Sequence, residues 1–92
     1  MTTITEAQLE RILREYITRE FLYDKPQVNL TNDLNIIEQR LVDSMDIFRL
    51  IQFIESEMGI LWEPEEMVQE NFKTINAIKA LTLRKLAENP VI

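Results

Sequence analysis

Residues 42–60 read Val42-Asp43-Ser44-Met45-Asp46-Ile47-Phe48-Arg49-Leu50-Ile51-Gln52-Phe53-Ile54-Glu55-Ser56-Glu57-Met58-Gly59-Ile60. The stretch carries a start signal, a periodic apolar face and a stop signal for one helix. Asp43 is a favourable N-cap, because its carboxylate accepts from first-turn amides that have no partner inside the helix. Val42 and Ile47 have the spacing of a hydrophobic staple. Ile47, Leu50, Ile51, Ile54 and Met58 fall within a ~100° arc at about 3.6 residues per turn. Gly59 stands where a left-handed residue ends a helix, and Ile60 can meet Ile54 across that stop. The reading is a helix over Ser44–Met58.

Towards the N-terminus, Thr5 and Gln8 form a capping box, with Ile4 and Leu9 as its staple pair. Leu9, Ile12, Leu13, Tyr16 and Ile17 share one face of a helix over Glu6–Phe21. Residues 23–42 are irregular, yet Leu30, Leu34, Ile36, Ile37, Leu41 and Val42 supply apolar surface for packing onto the helices. A helical turn is expected around residues 34–39. Beyond Gly59, Ile60-Leu61-Trp62-Glu63 reads as an extended connector, and Trp62 as a packing residue. Pro64 can open a short helix ending near Glu70, with Glu65 and Glu66 at its positive pole. Thr74 caps a last helix holding Ile75, Ile78, Leu81 and Leu86, and Asn89-Pro90 stops it. The expected fold is all-α: a small four-helix bundle with three long helices, a short third helix and a long first loop. Its single domain covers residues 5–88, between short tails at 1–4 and 89–92.

The chain has 92 residues, 46% of them hydrophobic, which suits one small core. It holds no cysteine and no histidine, so disulfides, thiolate chemistry and a histidine-activated serine are excluded. A net charge of −6 is the wrong sign for a nucleic-acid binder. Residues 43–70 carry eight acids and Arg49, a net of −7, and the rest of the chain sums to +1. Such a sector can steer a basic partner or simply keep the protein soluble. The first residues, Met1 to Glu6, lack the basic and apolar regions of a signal peptide, and no apolar run is long enough to cross a bilayer. The expectation is a soluble, cytoplasmic, monomeric domain that engages neither nucleic acid nor membrane.

Asp33-Leu34-Asn35 lacks the glycine and spaced oxygens of a calcium loop, and pairs such as Glu55/Glu57 or Glu65/Glu66 read as solvated faces. The informative position is Ser44. With Asp43 as the cap, the Ser44 hydroxyl is free to project from a helix N-terminus, where an attached phosphate is favoured by free amides and the helix dipole. An isolated Asp-Ser pair is also a common helix opening.

In context, the chain resembles the acyl carrier and peptidyl carrier protein family over about residues 5–88. The parts occur in the family's order: an amphipathic first helix, a loop with Leu30, Asp33 and Leu34, then Val42-Asp43-Ser44-Met45 and the amphipathic helix over 47–58. Gly59-Ile60, Pro64-Glu65-Glu66 and Phe72-Lys73-Thr74-Ile75 follow. The resemblance implies that Ser44 receives 4′-phosphopantetheine from coenzyme A through a phosphopantetheinyl transferase. Acyl, aminoacyl or peptidyl groups would then ride on the arm as thioesters, between a loading ligase and downstream synthases. The carrier itself would not be an enzyme.

Two positions depart from the family's common pattern. Met45 replaces the usual leucine, lies nearly opposite the core stripe and should be exposed. Arg49 stands where fatty-acid carriers present an acid, and is expected to pair with Asp46 or Glu57. Asp43, Met45, Asp46, Phe48, Arg49 and Gln52 are the expected docking residues, although Phe48 reads first as a core side chain. Met45, Arg49 and the 72–78 stretch resemble polyketide or non-ribosomal peptide carriers. A fatty-acid or D-alanyl carrier is the alternative, and an unmodified helical interaction module a further one.

Overall fold

Thr5 opens the first helix as its chemistry requires. Its Oγ1 accepts from Gln8 N at 3.1 Å, and its own N–H donates to Gln8 Oε1 at 2.9 Å. In the computed structural model, which describes residues 4–88, this helix is α1, Glu6–Phe21. The second, α2, spans Ser44–Met58, and the third, α3, spans Ile75–Glu88. Thr74 caps α3 by accepting from Ala77 N at 2.9 Å. The expected Asn89-Pro90 stop and the residues at 1–3 lie outside the described ones.

Gly59 ends α2 in the left-handed conformation, at φ 66°, with its N–H bonded to Glu55 O at 2.9 Å. Arg40, in the long loop, also has a positive φ, 59°.

The segment expected as one short helix is instead two separate 3-10 turns, Pro64–Glu66 and Gln69–Asn71. Pro64 and the Glu63–Glu66 capping box start the first turn, but the chain opens out again at Val68, whose backbone is extended. Exposed Met67 and Val68 give this piece no inward stripe that would extend it. The described residues are thus all-helical, with three α-helices, two 3-10 turns and no strand. No helix among them is long and apolar enough to cross a membrane.

One apolar cluster joins the elements. Leu9, Leu13, Ile17, Leu50, Ile54 and Ile78 are almost fully buried in it, with Ile36 from the loop and Phe72 from the connector. Burial of this apolar surface, at roughly 25 cal/mol per Å², is the main force holding the elements together.

The long loop is tied down by polar groups as well. Arg14 donates to Leu30 O and to Asn32 Oδ1, Asn32 Nδ2 donates to Glu10 Oε1 at 3.0 Å, and Asn76 N donates to Asn32 O at 2.9 Å. At its far end the helical turn expected at 34–39 is present: Gln39 N donates to Asn35 O at 3.0 Å, and Asn35 Oδ1 caps the turn by accepting from Ile37 N and Glu38 N.

Candidate functional site at the start of α2

The entry to α2 is fixed by three backbone bonds. Leu41 N and Val42 N both donate to Ile36 O, at 3.0 and 3.3 Å, and Ile36 N donates to Lys73 O at 2.8 Å. Ile36 and Val42 are buried, so the chain leaves the core at Val42 and reaches solvent at Asp43.

Asp43 and Asp46 then form a reciprocal capping box. Asp46 N donates to Asp43 Oδ1 at 2.9 Å, and Asp43 N donates to Asp46 Oδ2 at 3.2 Å. The cap needs nothing from Ser44, whose side chain is exposed at the first position of the helix. The amides of Ser44 and Met45 have no intrahelical acceptor by virtue of their positions. A phosphodiester on the Ser44 oxygen fits this geometry, with free N–H groups and the helix dipole beside it. The carboxylates of Asp43 and Asp46 would oppose such a charge if it lay along the helix start.

Met45 is 69% exposed, in keeping with its place opposite the core stripe. Phe48 corrects the expectation of a core phenylalanine: it is 51% exposed. Ile47, Leu50, Ile51 and Ile54 already make the inward face of α2, and Phe48 lies ~100° round from Ile47. Together with exposed Gln52, these residues form an outward face that begins at Ser44.

Arg49 does not pair with Glu57. It reaches Asp46 at 3.5 Å and, across the helix pair, Glu20 Oε1 at 2.9 Å, with its guanidinium 5.5 Å from the centre of the Phe21 ring. Glu20 and Phe21, at the end of α1, therefore belong to the surroundings of the site. Only a long-range ion pair marks Glu20, and nothing local to its sequence announces it.

Trp62 packs inward as expected, and its Nε1–H donates to Ile51 O at 3.1 Å. Glu66 departs from the solvated reading: Lys85 Nζ, nearly buried, lies 2.8 Å from its Oε1 and holds the carboxyl below the usual range. Among the described residues no cluster of acidic side chains is placed to hold a metal ion.

No protein-family model matches the chain, and no curated protein matches it.

Proposed function

We propose that this protein is a carrier, with 4′-phosphopantetheine on Ser44 and thioester-bound intermediates on the arm. The single observation that supports this best is an exposed serine hydroxyl at the first position of α2 that the helix does not use, because Asp43 and Asp46 cap each other. The fold is read as acyl-carrier type, with the two 3-10 turns in the place of its short third helix. The cargo is read as that of polyketide or non-ribosomal peptide synthesis, on the strength of Met45 and Arg49.

The attachment step balances. Ser44 Oγ bonds to the phosphorus bearing pantetheine, and the pyrophosphate bridge of coenzyme A breaks. Adenosine 3′,5′-bisphosphate leaves, and the hydroxyl proton passes to a base of the transferase. The chain contributes the nucleophile and its position, and the transferase contributes the base. Asp43, Met45, Asp46, Phe48, Arg49 and Gln52 are proposed to meet the transferase, the loading ligase and the synthases. Met45 and Phe48 offer adaptable apolar contact there.

Intact-mass measurement after incubation with coenzyme A and a broad-specificity phosphopantetheinyl transferase tests the reading. The expected result is a gain of one phosphopantetheine that Ser44→Ala abolishes. An unchanged wild-type mass, under conditions that load a control carrier, overturns it and leaves an unmodified interaction module as the better account.

A further inference from the structure

Trp62 fills the space between the middle of α2 and the connector leading to α3. It is 6% exposed, its ring nitrogen is bonded to Ile51 O, and its backbone N–H donates to the Glu55 carboxylate at 3.1 Å. The ring meets fully buried Phe72 edge-on, with centroids 5.2 Å apart. Over its face lies Lys85 Nζ, 5.7 Å from the centroid and paired with Glu66 at 2.8 Å. The next residue after Phe72, Lys73, accepts from Ile36 N, and Ile36 O in turn holds Leu41 and Val42 at the entry to α2. Packed core thus runs from beneath Ser44 to Trp62, through Val42, Ile36, Phe72 and Ile51.

We propose that Trp62, held shut by the Lys85–Glu66 pair, is a plug that keeps the group carried on Ser44 outside the helical core. The proposal rests on the carrier reading. To admit an alkyl chain between α2 and the connector, the indole would have to leave Ile51 O, and a nearly buried ammonium would lose its neighbour. The open hollow of about 180 Å³ between the loop and the second 3-10 turn is lined by Glu38, Glu70 and Lys73 among others, a poor lining for hydrocarbon. Outside, a cargo meets exposed Phe48 one turn from Ser44 and then water. The site therefore suits short or polar acyl and aminoacyl groups, which gain little from an apolar shelter, over long alkyl chains.

The test loads Ser44 with acetyl- or octanoyl-phosphopantetheine, using the two coenzyme A thioesters and a broad-specificity transferase. Isoleucine methyl spectra and the thioester lifetime in hydroxylamine are then compared. In the wild type, octanoyl should leave the Ile51 and Ile54 methyl signals where acetyl leaves them, and both thioesters should decay at the same rate. In Trp62→Ala the octanoyl arm should shift those methyls, and its thioester should outlive acetyl several-fold. Trp62→Leu, a smaller truncation, should show the same trend if the alanine variant does not fold. Methyl shifts or octanoyl protection in the wild type overturn the proposal. So does octanoyl that decays like acetyl in the variants that fold. A wild-type mass unchanged by either thioester overturns the carrier reading itself, and the mass measurement tells the two failures apart.

Discussion

Lys79 Nζ of α3 lies 2.8 Å from Glu10 Oε1 of α1, a contact between residues 69 apart in sequence. Lys79 is nearly buried, and Glu6 stands 3.6 Å from the same ammonium. Glu10 also accepts from Asn32 and has Arg14 at 3.7 Å. The pair therefore joins both outer helices to the loop that delivers the chain to Ser44.

A pH dependence follows from this cluster. The hydrogen bonds from Lys79 and then Asn32 hold the Glu10 carboxyl below its usual range, and the bond to Glu10 raises Lys79. A carboxylate lowered by folding stabilises the fold above its unfolded value, near ~4.3, and that contribution is lost as pH falls through the folded value. Lys79 contributes fully below its unfolded value, near ~10.4, and the contribution is lost as pH rises through the folded one. Glu66, lowered by Lys85, acts with Glu10, and Tyr16, raised by burial, acts with Lys79. With no histidine to titrate between these limits, unfolding free energy should be flat around neutrality and fall on both sides. Denaturant melts across pH check this. Glu10→Gln should make the acid limb shallower, and an unaltered limb contradicts the assignment.

Asn32 is the hub of the loop attachment. It accepts from Arg14, donates to Glu10 and offers its carbonyl to Asn76 N. Asn32→Ala leaves Arg14 without one acceptor and should cost about 1–2 kcal/mol, given partial solvent access. The Asn76 amide should exchange faster than in the wild type. Melts combined with amide exchange measure both effects, and wild-type protection at Asn76 counts against the loop being held this way.

The helix ends were readable because their causes are local. Thr5 with Gln8, Asp43 with the amide three residues on, and Gly59 each act within one turn, so α1 and α2 have the bounds that the spacing predicts. The 64–71 segment was not, because proline and acidic residues start a helical turn, whereas continuing it depends on what the next residues can bury. Phe48 departs from the core reading for a related reason: periodicity gives its angle on α2, but its exposure depends on whether another element covers that angle, and none does. The Glu10, Asn32 and Lys79 cluster and the Arg49–Glu20 pair join distant residues, and no spacing rule encodes them.

At Gly59 a Cβ would meet nothing within 4 Å, so any cost of substitution is conformational. Gly59→Ala should destabilise by about 1 kcal/mol, the penalty of the left-handed conformation for a residue with a Cβ. Gly59→Asn should cost less, because asparagine tolerates that conformation. Equal losses in thermal melts of the two variants would show that something other than φ is at stake.

Asp43 serves the helix through its cap and is proposed to serve a partner through its charge. Asp43→Asn keeps a side-chain oxygen for Asp46 N and should lose only a few tenths of a kcal/mol, whereas Asp43→Ala should lose about 1 kcal/mol. A transferase that reads the charge should modify both variants slowly. One that needs only a well-formed helix start should modify the asparagine variant at the wild-type rate. Melts paired with modification rates separate the two.

Arg49 allows the same separation at the other edge of the face. Its partners Glu20 and Asp46 are partly exposed and the side chain itself is 48% exposed, so solvent screens the ion pairs and they are worth little. The guanidinium near Phe21 adds packing that a shorter side chain loses. Arg49→Gln should therefore destabilise by less than about 1 kcal/mol, and high salt should shrink that difference further. If Arg49 selects partners, as its place on the outer side of α2 suggests, this near-neutral change in stability should come with altered modification rates. The change should differ in size between a transferase specialised for fatty-acid carriers and a broad-specificity one. Identical rates for variant and wild type with both enzymes would confine Arg49 to holding α1 and α2 together.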